Sequence, residues 1–279
     1  MNIRSTGYAV MLASSMLVGV CGGKTIQKSS AKPAGHSLVS SPNMDVYIPE
    51  VASAVQEAAP SGVSKTAKVL SESWSVIVNE KVKPEFFQKV INFANKVKTD
   101  PIDLTFILFR ESKFNPKAKN GSYVGLIQMD KNAFNECVGR MMEYEQYKKE
   151  HPQEKISLQD YLKLRGKKGF KRPVNPNKIS FSQYCNLPRE KQFKYSEYYL
   201  NYRIHEHKLN NSRISSIQLW ALIHRPAKCR EKAELRDRQV LLNAVKYGGK
   251  VTTNGTTRPV KGIKELFPAE FKKIMSLKK

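Results

Sequence analysis

The chain has 279 residues, of which 48 are Lys or Arg and 24 are Asp or Glu, a formal net charge of +24. A mean hydropathy of −0.50 with 26% charged residues excludes a membrane-embedded protein, and the length fits one main domain with accessory segments. The positive excess implies a polyanionic partner, since summed charge concentrates anions near the surface. Nucleic acid, an anionic membrane and an anionic cell wall all satisfy it.

Arg4 precedes an apolar run from Tyr8 to Val20, followed by Cys21, Gly22 and Gly23. This is the pattern of an export signal over residues 1–23, too short to span a bilayer comfortably. An uncleaved short anchor is the alternative. Cys21 also allows lipid attachment, although Leu17 sits four residues before it, and simple cleavage nearby competes with that reading. Export argues against intracellular nucleic acid as the partner. The expected location is the periplasm or cell envelope.

Residues 24–75 are rich in Ser, Ala, Pro and Lys and are expected to form a flexible linker. The folded domain is placed at 76–279. Over Pro84 to Val97, residues Phe86, Phe87, Val90, Ile91, Ala94 and Val97 recur with helical spacing. Asp100 and Pro101 then read as N-cap and first residue of a helix that stops before Pro116. Residues 140–180 form a basic insertion in which Lys163, Arg165, Lys167, Lys168, Lys171 and Arg172 cluster; a solvated face and a binding surface are both open there. Helical patterns return at 188–210, 213–224 and 229–247, and Val251 to Pro259 reads as a turn-rich loop or small hairpin. The class is mainly α. Cys137, Cys185 and Cys229 read as small thiols, and no spacing suits a metal, so neither a metal nor a cofactor is expected.

The chemistry concentrates in Glu111, Ser112, Phe114, Asn115 and Pro116, followed by Gly125, Leu126 and Gln128. Glu111 shares a helix face with Leu104, Ile107 and Leu108. Burial of that face would disfavour the ionised carboxyl and keep it protonated for donation to a glycosidic oxygen. Gly125 allows backbone to approach a ligand closely, and Gln128 offers a donor and an acceptor to sugar amides and hydroxyls.

The pair of words Glu-Ser-x-Phe-Asn-Pro and Gly-Leu-x-Gln resembles the signature of soluble lytic transglycosylases and the related goose-type lysozymes, over residues 84–245. The resemblance implies a lysozyme-like α-fold acting on peptidoglycan glycan strands. It makes Glu111 the catalytic acid/base and puts Ser112 and Gln128 along the glycan groove. Gln128, Met129 and Asp130 resemble the Gln-x-Asp of goose-type lysozymes, where the Asp positions water. Asp130 as an N-cap is the competing reading. A further family word, Ala-Tyr-Asn-Ala-Gly-Pro, is matched only at Ala221 and Pro226. It would place Ile223 at the groove, with Leu222 where the family has a tyrosine that helps hold the acid. Residues Leu187 to Leu200 resemble the helix that precedes this word.

Overall fold

The computed structural model describes residues 62–174, 178–209, 213–253 and 256–278. The expected export signal, Cys21 and the first part of the linker lie outside them. From Val63 onward the chain folds as one unit. It is mainly helical, with two short antiparallel hairpins among the described residues. No helix of these residues is long and apolar enough to cross a membrane.

The first helix of the described residues, α1 (Lys65–Val78), corrects the expected linker boundary of residue 75. Ser64 caps it by accepting the Ala67 N–H, and Leu70, Trp74 and Ile77 are buried along one face. That face packs on α2 (Pro84–Lys96), which buries the stripe the periodicity marks out.

Next comes α3 (Pro101–Ser112), capped by Asp100 through the Ile102 and Asp103 N–H groups. It buries Ile102, Leu104, Thr105, Phe106, Ile107, Leu108 and Phe109. A helix apolar on nearly every side belongs in the middle of a fold. Accordingly α3 is flanked by α2, by α9 (Ser216–His224) and by α10 (Lys232–Tyr247). Near its start, Asp103 accepts from the buried ammonium of Lys246 on α10 and from Lys278.

At the other end of α3, Lys113 and Phe114 both adopt the left-handed conformation, with φ of +52° and +60°. Such backbone is unfavourable for residues with a side chain and must be held by its surroundings. Phe114 is fully buried, and its ring centroid lies 5.1 Å from that of Trp74, 5.5 Å from Phe87 and 5.8 Å from Phe86. This aromatic socket fixes the point at which α3 stops.

The chain then forms a two-residue hairpin, β1 (Lys119–Asn120) with β2 (Tyr123–Val124), and enters a helical run. That run comprises α4 (Lys131–Ala133), a π-helical turn at Phe134–Val138 and α5 (Gly139–Glu150). The basic segment that follows is ordered around aromatic side chains rather than loose. Tyr147, Leu158 and Tyr161 are buried, Tyr161 on α6 (Leu158–Arg165), and Arg165 pairs with Glu143 at 2.7 Å. Lys167, Lys168, Lys171 and Arg172 remain exposed. After α7 (Phe181–Cys185), the long α8 (Arg189–Glu206) packs on α2, α5 and α9. The segment expected as a loop or hairpin is a hairpin, β3 (Gly249–Thr253) with β4 (Thr256–Val260). Two short helices, α11 (Ile263–Leu266) and α12 (Pro268–Met275), close the unit, α12 against α1. Cys137 and Cys229 are buried free thiols and Cys185 is half-buried.

Candidate active site

Glu111 occupies the last turn of α3 with its side chain only 6% exposed. Two donors on α9 converge on one of its oxygens. Trp220 Nε1 donates to Oε1 at 2.7 Å, and His224 Nε2 lies 2.8 Å from the same Oε1. Four residues separate the two partners, so one helix face presents both. Ser215 and Gln218 start that helix with a reciprocal capping box. Its phase is fixed by burial of Leu219, Trp220, Ala221 and Leu222. Glu111 Oε2 accepts no hydrogen bond from the described residues. The carboxyl group is therefore anchored through one oxygen only.

This anchoring corrects the expectation of a neutral acid. Burial does push the Glu111 carboxyl upward, as the sequence predicts. The charge of His224 and the hydrogen bonds from His224 and Trp220, with Arg110 adding, outweigh it and hold the group below its ordinary value.

The loop beyond Glu111 is locked by α8. Gln192, fully buried, donates from Nε2 to Pro116 O at 2.8 Å and accepts the Leu126 N–H on Oε1 at 2.9 Å. Arg189 donates to Phe114 O at 2.6 Å and pairs with Glu80 at 2.6 Å. Both words of the motif are thus held by one helix. Gly125 sits at φ +88°, where a Cβ would meet Tyr184 and Gln192.

The remaining expected site residues are distributed around this frame. Ser112 is 7% exposed and turns its hydroxyl back to Leu108 O at 3.2 Å. Gln128, at φ +52°, spends its amide N–H groups on Gly125 O at 2.8 Å and Ala118 O at 3.3 Å, closing the loop. Met129 pairs through its backbone with Val124 and buries its side chain in the core. Asp130 is an N-cap, accepting the Ala133 N–H at 2.7 Å. It also lines an open depression of about 620 Å³ with Lys117, Lys119, Lys131 and Asn186; Glu111, Ser112 and Ile223 do not line it. Ile223 is half-buried, and its carbonyl, like that of Leu222, accepts from the buried Tyr199 hydroxyl. Leu222 is itself fully buried.

Sequence reasoning missed Trp220 and His224 as partners of Glu111. The signal was present: two hydrogen-bonding side chains four residues apart on an otherwise apolar helix. The family comparison directed attention to position 222 instead. Compared with protein-family models, with curated proteins and with solved structures, the chain matches none.

Proposed function

We propose that this chain is an exported peptidoglycan-cleaving enzyme of the lytic-transglycosylase kind, built on a lysozyme-like helical fold, with Glu111 as its acid/base. The observation that carries the reading is the half-anchored carboxyl group: Glu111 Oε1 is gripped by Trp220 and His224, while Oε2 accepts no hydrogen bond from the described residues. The two-word motif around it supports the same assignment. In this reading the proton needed by the glycosidic oxygen belongs to the Glu111–His224 pair rather than to Glu111 alone. Protonation of that oxygen releases the leaving sugar. The carboxylate then removes the proton from the muramyl 6-hydroxyl, which closes a 1,6-anhydro ring without consuming water. No cofactor takes part. Asp130 already caps α4, which favours this single-carboxylate route over a two-carboxylate hydrolysis. The exposed lysines at 167–171 and the net charge of +24 suit an anionic wall or membrane surface.

A second reading has its own support. Leu222 is buried where the family that the motif resembles carries a tyrosine, and the Glu111 carboxyl is held below its ordinary range. Both would suit a glycan-binding envelope protein that does no chemistry. Mass spectrometry of peptidoglycan incubated with the protein separates the cases: an anhydro product supports the first, a hydrolysed product the lysozyme variant, and glycan binding without product the second. Glu111→Gln is expected to abolish product release with the fold retained. Undiminished release by that variant rules out the assignment of Glu111.

A further inference from the structure

Behind Trp220 lies a second layer of charge that the proposed chemistry does not itself use. Arg238, on α10, places its guanidinium carbon 5.6 Å from the Trp220 ring centroid, with a side chain 14% exposed. Its Nε donates to Glu234 Oε1 at 2.7 Å. Glu234 is one turn earlier on the same helix, 4% exposed, and its other oxygen faces Arg225 at 3.4 Å. A buried carboxylate with two guanidinium partners is costly to assemble and fixes their positions. The indole is thus held between a cation on its face and a carboxylate on its N–H.

We propose that Arg238, clamped by Glu234, is a positioning residue that aims the Trp220 N–H at Glu111 Oε1 and strengthens it as a donor. The physical basis is polarisation. A guanidinium over the ring attracts π-electron density and leaves the N–H more positive. The charge-assisted bond to the carboxylate tightens in consequence. The sequence runs Glu234, Arg238, Trp220, Glu111, so that α10 acts on α3 through α9. As an account of catalysis it rests on the reading of Glu111 as the working carboxyl group; as an account of its hydrogen bond it does not.

The chain has two tryptophans, so ¹⁵N-indole labelling of the whole protein gives two N–H signals, assigned with Trp220→Phe. Trp74 Nε1 has no hydrogen-bond partner among the described residues, whereas Trp220 Nε1 is bonded to Glu111. The Trp220 signal therefore reports Glu111 protonation as pH is lowered. The other charged groups around the pair are Arg110 on α3, His224 on α9, Arg225 just after it, and Glu234 on α10.

Arg238→Met is expected to shift the Trp220 N–H signal upfield and move its titration to higher pH; Arg238→Lys, which keeps a cation, restores most of both. The double variant Arg238→Met with Glu234→Gln removes one charge of each sign, and the shift should persist in it. It also supplies the measurement if Arg238→Met alone fails to fold. An unchanged Trp220 signal and titration in the double variant overturns the proposal. Wall lysis is measured in parallel. Absence of lysis by the unaltered protein, with the titration shift present, sinks the catalytic reading and leaves the Arg238 assignment standing.

Discussion

Gln192 and Gly125 are packed so closely that a single added carbon would collide. A Cβ on Gly125 would lie 2.6 Å from Gln192 Oε1. The same oxygen accepts the Leu126 N–H, so the contact cannot relax without breaking a buried hydrogen bond.

Gly125→Ala is therefore expected to destabilise the protein by about 1–3 kcal/mol, from the collision together with a side chain forced to φ +88°. Urea denaturation of the variant checks it. Gly121, with a positive φ but open space around it, supplies the control. A smaller loss at Gly125 than at Gly121 would contradict the packing argument.

His224→Ala removes both the charge and the hydrogen bond that oppose burial at Glu111. The carboxyl should then titrate higher. A folded value below the ordinary one stabilises the fold above the unfolded carboxylate pKa, and that contribution is lost as pH falls through the folded value. In the variant this acid-side loss should disappear. Wall clearing should drop by about 100-fold, within the usual range for acid–base groups, because the carboxyl group loses a partner that orients it. Denaturation curves at several acid pH values and a turbidity assay read the two effects.

Glu197 offers a test in the opposite direction. Burial between α2 and α8 pushes its carboxyl up to about 7, although Lys96, Lys89 and Lys194 pull it down. The folded state thus binds this proton more tightly than the unfolded state. Stability should fall as pH rises from the ordinary carboxylate value, 4.5, towards 7. Glu197→Gln should flatten that decline and gain on the order of 1–3 kcal/mol at pH 8 relative to pH 4. Thermal melts across this range measure it, and a parallel decline in both proteins would refute the assignment.

Much of the frame was legible from residue patterning. The Asp100–Pro101 start of α3, the stripe on α2 and the position of Glu111 all follow from local rules of capping and periodicity. Helix α1 was obscured by its Ser- and Lys-rich surroundings, although Leu70, Trp74 and Ile77 carry the spacing of one buried face. The Trp220–Glu111 bond spans 109 positions, and no local rule pairs α3 with α9. The ionisation of Glu111 was misjudged for the same reason: burial can be read from its own helix, whereas the opposing imidazole comes from another.

Trp74 gives α1 a part in the site that its place in the sequence does not suggest. Its ring lies against Phe109 and Phe114, on either side of Glu111 and Ser112. Packing of α1 and mounting of the carboxyl group are therefore coupled: whatever loosens Trp74 from Phe109 and Phe114 also loosens the turn that carries Glu111.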